Sequence, residues 1–369
     1  MQKLIFESYL CRTTFKKDSI KAKIKINMLI KSIEINNFRC FNKTEAKDFS
    51  NINLLGGKNN AGKTALLEAL LLANEIENAS VKFLLNFRNI GSAFVNRIPQ
   101  KAFDNLFYDP KKKVEILIST DSKQLPKYIT HLTIENHRSS SALLVQAFEG
   151  ELENENVNSR LDPDDAIRDT EQAQDFMRYF KKTQFMIAGF LMTTEQLGLE
   201  FDKLKYEGHT DVLVEAFKRI DPSIERVDTF NIGKSAIYLQ RKKEKYMQLS
   251  LFGDAMTKVA TYILNIVRNP DSVILIDEIE NGIHHTNQKH LWKMLFDLSQ
   301  RFGVQIFATT HSAEMIEAFK DTIKENELQN QARYFELARH SVSNEIIVQK
   351  IPMNALEQKL ITKKPMRGE

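Results

Sequence analysis

The stretch NINLLGGKNNAGKTALLEALLLANEI, residues 51–76, joins three features in a fixed order. An apolar run ends in two glycines, a short polar loop follows, and a segment of strong helix formers with helical spacing comes last. Within it Gly57, Gly62, Lys63 and Thr64 match G-x-x-x-x-G-K-S/T. Glycine permits positive φ, so successive backbone N–H groups can face one anion, and the helix behind the loop adds its positive end. Lys63 is then placed to reach β and γ phosphates, and the Thr64 hydroxyl to ligate Mg2+. Asn59, Asn60, Ala61 and Ala65 complete the expected nucleotide-binding set. A loop of this kind commits the chain to a strand, turn and helix within an α/β sheet.

Such a site needs a second strand carrying acid. VILIDE, residues 273–278, supplies one: a buried strand ending in Asp277, placed to hold Mg2+, and Glu278, placed to orient or deprotonate a water. IFATTHS, residues 306–312, adds His311 just past another apolar strand, where its imidazole would face the γ-phosphate or the attacking water. A zinc centre is the weaker reading of this acid- and histidine-rich region. His284 and His285 are adjacent, so on a helix they diverge by ~100°. No H-E-x-x-H occurs to bring two rings onto one face.

The 369 residues allow one large domain or two ordinary ones. With 42% apolar and 27% charged residues, the composition is that of an ordinary globular protein. A net charge of +4 does not mark a nucleic-acid binder, and PKKK (110–113) and QRKKEK (240–245) read first as solvated turn lysines. Two cysteines, Cys11 and Cys40, give neither a disulfide framework nor a metal quartet, which fits a reducing cytoplasm. No apolar run approaches the ~18 residues of a membrane span, so no membrane partner is expected. Residues 1–27 lack a signal-peptide pattern and read as an N-terminal extension, with Met28 an alternative start.

Along the chain, strands are expected at 29–38, 51–57, 272–277 and 304–310, and in ARYFELAR and EIIVQKI. Helices are expected at 63–76, 208–220 and 286–303, from near Gly253, and in SAEMIEAFKDTI. KVEILIST, YITHLTIE and ALLVQAFE suggest an antiparallel layer; 153–165 reads as an exposed loop, 164–182 as helical and 228–251 as a hairpin. The organisation is a split α/β domain with halves at 28–80 and 248–369, and an inserted β-plus-helix lobe at 81–247.

Five segments in this order carry a family resemblance: IKSIEINNFRCF, GKNNAGKTALLEAL, LSLFGDAMTKVATYIL, LIDEIENGIHH and IFATTHSAEMIEAF. They resemble the ABC-type ATPase heads of the OLD, RecF and SMC-like class, most of all stand-alone OLD-type AAA family ATP-binding proteins that lack a Toprim domain. The resemblance covers the two halves of the split domain and much less of the 81–247 lobe. It implies a P-loop NTPase with an ABC-ATPase-like head that hydrolyses ATP with Mg2+ as a homodimer. In that class each nucleotide is sandwiched between the phosphate loop of one protomer and the signature helix of the other. The signature residues it implies are Ser250, Gly253 and Asp254. The segment departs from LSGGQ, because Leu251 and Phe252 separate Ser250 from Gly253. Seven residues beyond Asp277 stands His284, where many ABC ATPases have Asp, and the resemblance makes it a contact to the opposite nucleotide. It also puts Arg39 near nucleotide or DNA.

The function so implied is an ATP-driven dimeric switch in phage defence. It would control a separate nuclease, Toprim or other effector protein, or act on DNA. The alternative is a RecF-like repair ATPase that binds double-stranded DNA. Only residues 312–369 follow His311, and no nuclease activity is expected of the chain alone.

Overall fold

The structure is a computed structural model. It describes residues 29–362 except 76–77, 89, 91, 122–126, 137–140, 150–156, 164–182 and 187–191. The expected N-terminal extension and the helical pattern at 164–182 therefore lie outside the described residues.

The first half of the chain gives β1 (Ile30–Phe38), β2 (Phe41–Lys47), β3 (Ile52–Gly57), α1 (Lys63–Asn74), α2 (Asn78–Phe87) and α3 (Ser92–Arg97). Then come β4 (Val114–Thr120), β5 (Lys127–Asn136), β6 (Ser141–Glu149), β7 (Val157–Leu161) and β8 (Thr183–Met186). The second half gives α4 (Thr194–Tyr206), α5 (Thr210–Ile220), β9 (Ile224–Ile232), β10 (Lys234–Arg241), β11 (Met247–Gln248) and α6 (Asp254–Arg268). It ends with β12 (Val273–Ile276), α7 (His285–Phe302), β13 (Gln305–Thr309), α8 (Ala313–Glu325), β14 (Ala332–Arg339), β15 (Ile346–Ile351) and α9 (Met353–Thr362).

One sheet has the order β15-β14-β3-β13-β12-β8; all its pairings are parallel except β14 with β15. Its inner strands β3, β12 and β13 are apolar and buried almost throughout, as a parallel sheet covered on both faces requires. A second, antiparallel sheet has the order β2-β1-β4-β5-β6-β7. Between the two lies α1, touching β1, β4 and β5 on one side and β3, β8 and β13 on the other. Being enclosed, it is buried from Ala65 to Ala73, which explains why ALLEALLLA is apolar on every side instead of along one stripe. On the far face of the parallel sheet a second core gathers α4–α8, with the Trp292 ring tilted against that of Phe319, centroids 4.7 Å apart, and its indole N–H donating to Met315 O.

The structure corrects three expectations. Residues 81–247 do not form a lobe of their own. β4 pairs with β1 from Ile30 to Asn36, so β4–β7 continue the sheet that β1 and β2 begin, and β8 completes the parallel sheet beside β12. The cause is the open edge of β1, whose N–H and C=O groups need partners, together with the buried side chains of Val114, Ile116 and Ile118 facing α1. The described part of 153–165 is mainly strand β7, where a loop was expected. The expected hairpin at 228–251 starts earlier, at Ile224, and gains β11 as a third strand. Among the described residues no helix is long and apolar enough to cross a membrane.

One side chain ties the sheets together. Gln305, buried at the start of β13, accepts from Ile30 N–H (2.9 Å) and donates to Ile30 O (2.9 Å) and Ser50 O (2.8 Å). Gln305→Leu removes the side-chain partner of the Ile30 N–H and C=O and leaves Ser50 O with Asn53 Nδ2 alone (2.8 Å). It should lower unfolding stability by about 2–4 kcal/mol, measured by urea denaturation; a loss within error would show that the bridge is dispensable.

Candidate functional site

β3, β13 and β12 are neighbours in the parallel sheet, so the loops at their carboxyl ends emerge side by side. This is where open α/β sheets place their ligands. The first loop is 57–64. Gly57 has φ +145, and a β carbon there would stand 2.3 Å from the backbone oxygen of Leu337 on β14. Gly62 caps α1 at φ +89, where a β carbon would meet Cys40 Sγ at 3.0 Å. Both positions are closed to larger residues by backbone strain and by space. The Lys63 side chain folds back over the loop, its ammonium donating to Gly57 O (2.8 Å) and Lys58 O (2.9 Å). Burial lowers the Lys63 pKa, against the pull of Glu280, Asp277 and Glu278.

The second loop begins with Asp277, which is buried. Its carboxylate accepts from Thr64 Oγ1 (3.2 and 3.1 Å) and from Thr309 Oγ1 (2.5 Å). Burial pushes this carboxyl up; the two hydroxyls pull it back down. Glu278 follows with φ +50, a left-handed conformation that costs a non-glycine residue roughly 1–2 kcal/mol. Two bonds hold it there: its N–H donates to Thr309 Oγ1 (2.8 Å), and its Oε2 accepts from Asn281 Nδ2 (2.6 Å).

The third loop carries His311, whose side chain is 45% exposed. Its backbone N–H and its Nδ1 both lie 2.8 Å from Oε1 of Glu280, a carboxylate side chain only 8% exposed. A carboxylate only accepts, so Nδ1 carries the proton toward Glu280 and Nε2 is the nitrogen left for the cleft.

These loops border a cleft of about 860 Å3. Asn59, Asn60, Gly62, Lys63, Thr64 and Ala65 line it with Asp277, Glu278 and His311. Gly57 and Ala61 shape the loop without lining the cleft, Ala61 being buried. The opposite wall is cationic, with Arg39, Arg88 and Arg339. Arg39 and Arg88 share the fully buried Glu68, at 2.8 and 2.7 Å, and Arg39 also donates to Asn105 O (2.7 Å). Burial lowers the Arg39 pKa, opposed first by Glu68.

Ser250, Gly253, Asp254 and His284 do not line this cleft. Ser250 lies in a 3-10 turn, Leu249–Phe252, and Gly253 (φ +91) opens α6 with no side-chain cap. His284 caps α7, its Nδ1 3.0 Å from Thr286 Oγ1 and its ring 4.2 Å from that of His285. All four are exposed, and a β carbon on Gly282, two residues before His284, would stand 3.5 Å from Asp254 Cβ.

Sequence reading makes Glu280 and Asn281 residues that shape the turn, but does not single out Thr309, Glu68 or Arg88, nor Glu280 as the partner of His311 or Asn281 as a donor to Glu278. Thr309 has the most consequence, since its hydroxyl serves both Asp277 and Glu278. The available signal was small: a hydroxyl at the end of an otherwise apolar strand.

Two sheets clamping a phosphate-loop helix, with a carboxylate pair one strand away from the neighbour of that loop's strand, make the fold of a P-loop ATPase head. The chain belongs to the AAA family described as "AAA domain, putative AbiEii toxin, Type IV TA system", whose profile matches residues 52–317. It is 24% identical over 345 residues to an ATP/GTP phosphatase of Helicobacter pylori, covering 83% of this chain and 92% of that protein. Over 114 residues it is 31% identical to an uncharacterized protein of Methanocaldococcus jannaschii, covering 31% of this chain and 50% of that one. Among solved structures it is similar to an Smc head bound to the C-winged helix domain of ScpA, with a TM-score of 0.51 at 12% identity, covering 89% of this chain and 99% of that one. The Smc head with an extended coiled coil bound to the C-terminal domain of ScpA, from Pyrococcus furiosus, gives 0.52 at 12% identity, covering 91% and 100%. At that identity the likeness is one of fold.

Thr309→Val keeps the shape of the side chain and removes its hydroxyl. The Glu278 N–H and Asp277 then lose a buried partner, and stability should fall by about 1–3 kcal/mol, with Thr309→Ser close to wild type. Equal denaturation midpoints for the Val and Ser variants would refute the hydroxyl's role.

Proposed function

We propose that this chain is a Mg2+-dependent ATPase that works as a homodimer and switches a separate effector protein. The observation that carries the reading is the convergence of Lys63, Thr64, Asp277, Glu278 and His311 on one cleft, from loops of three parallel strands. The residues fit the ligands the family implies. Thr64 and Asp277 bring a hydroxyl and a carboxylate within 3.2 Å at the loop, hard oxygen donors of the kind Mg2+ takes. Bound there, Mg2+ would neutralise charge on the phosphate oxygens. A cleft of about 860 Å3 lies within the range of small-molecule sites.

In this reading Lys63 exchanges its two loop carbonyls for β and γ phosphate oxygens, while the N-terminal N–H groups of α1 bind the rest. Glu278 takes the proton of the attacking water. His311, oriented by Glu280, hydrogen-bonds through Nε2 to the γ-phosphate or to that water. Ser250, Gly253, Asp254 and His284 stand exposed outside the cleft, which suits contact with the nucleotide of a second protomer. That Smc heads of this fold are found with ScpA domains supports a partner protein as the output, and the toxin in the family's description supports a role in phage defence.

Glu278→Gln should keep ATP binding, slow hydrolysis by roughly 10²–10⁴-fold and leave an ATP-held dimer visible by light scattering. Turnover at the wild-type rate would exclude Glu278 as the base. Lys63→Ala should abolish ATP binding in calorimetry, and unchanged affinity would refute the phosphate-loop assignment. ATP-dependent capture of duplex DNA with no protein partner would select the repair-type role instead of the effector switch.

A further inference from the structure

Lys258 is a buried lysine in the second turn of α6, and its ammonium donates to the backbone oxygen of Asn281. Lysine is almost never fully buried unless paired. Its stem passes Gly282, where a β carbon would lie 3.9 Å from both Cδ and Cε. Asn281 is itself bound twice to Glu278: its N–H donates to Glu278 O (3.0 Å) and its side-chain amide to Glu278 Oε2 (2.6 Å). Asn281 therefore closes a ring on Glu278, and Lys258 pins that ring from the helix. Burial lowers the Lys258 pKa, while Glu280, Glu278 and Asp254 favour its charged form.

The acidic turn requires such a pin. Glu278 sits at φ +50, a conformation that persists only where its surroundings hold it. Four residues before Lys258, α6 opens at Asp254 behind the exposed Gly253. Only about 6 Å of helix axis separates Asp254 from the backbone of Lys258. The exposed end and the acidic turn are thus mechanically one unit within a single protomer.

We propose that Lys258 is a positioning residue: through Asn281 it makes the aim of the Glu278 carboxylate depend on how the N-terminal end of α6 is engaged. This rests on the reading of Glu278 as the base and adds a route by which one protomer's signature segment reports to its own hydrolytic site. An occupied partner nucleotide, touching Gly253 and Asp254, would fix α6 and with it Glu278. A loose α6 would let the turn relax and hydrolysis stall.

The test is steady-state ATP hydrolysis by the full chain as wild type, Lys258→Met, Lys258→Arg, Asn281→Ala, Lys258→Met with Asn281→Ala, and Glu278→Gln. Lys258→Met should lower kcat by about tenfold or more with KM for ATP near the wild-type value. Lys258→Arg, which keeps the donor, should recover much of the rate. The double variant should be no slower than the slower of the two single variants, because the bond from Lys258 to Asn281 O and the bond from the Asn281 amide to Glu278 Oε2 are successive links of one connection. A wild-type kcat in folded Lys258→Met, a loss carried by KM, or additive effects in the double variant would each overturn the proposal. If Lys258→Met does not fold by circular dichroism, Lys258→Gln, whose shorter side chain falls short of the Asn281 backbone oxygen, decides by the same kcat criterion. Glu278→Gln separates the two levels. If it turns over normally, the base assignment falls and the relay with it; if it is inactive while Lys258→Met is unimpaired, only the relay falls.

Discussion

Asp277 is held by two hydroxyls that arrive from different strands, Thr64 behind the β3 loop and Thr309 at the end of β13, while its own backbone follows β12. A buried carboxylate is costly without hydrogen bonds, so the three loops are locked into one arrangement by the need to satisfy it. Thr309 then takes the N–H of Glu278 as well, which fixes the next residue in a backbone conformation it would not adopt alone.

This lock works because α1 cannot move. The helix is enclosed by two sheets, and Gln305 joins those sheets through the backbone of Ile30 and Ser50. A helix whose N-terminal N–H groups are to receive an anion must present them at a fixed point. Enclosure supplies that fixity at the price of an apolar sequence on every face. Phe49 contributes from the loop before β3, with its ring edge-on to Phe307 and Phe335 at 5.0 Å from each.

What could be read beforehand was the chemistry that lives in short spacing. The glycines and lysine of the loop, the acid pair after VILI and the histidine after IFATT each occupy one local segment, and the structure places them together. Pairings between distant segments were not legible. TQFM is too short to stand out as a strand, yet as β8 it covers β12 through Phe185 and Met186. β4–β7 looked like a separate layer because nothing in KVEILIST names β1 as its partner. Arg39, Glu68 and Arg88 fall on three different elements, and their shared ion pair exists only once α1 lies against β1 and α2. Thr309 was passed over for a related reason: a hydroxyl at a strand end has no characteristic spacing, and its importance comes from which carboxylate it faces.

The acidic turn lies between two buried lysines, Lys63 from the phosphate loop and Lys258 from α6, and both are influenced by Glu278 and Glu280. Neither ammonium is bonded directly to a carboxylate. Lys63 donates to the carbonyls of Gly57 and Lys58, and Lys258 to that of Asn281. A carbonyl is a weaker acceptor for an ammonium than an anionic phosphate oxygen. In the proposed reading Lys63 would therefore leave its carbonyls for a triphosphate with a net gain, whereas a lysine in an ion pair with Asp277 would have to break that pair first. Direct pairing would also take Asp277 away from Thr64 and Thr309. Holding the two cations on neutral partners leaves the Asp277 carboxylate to Thr64 and Thr309.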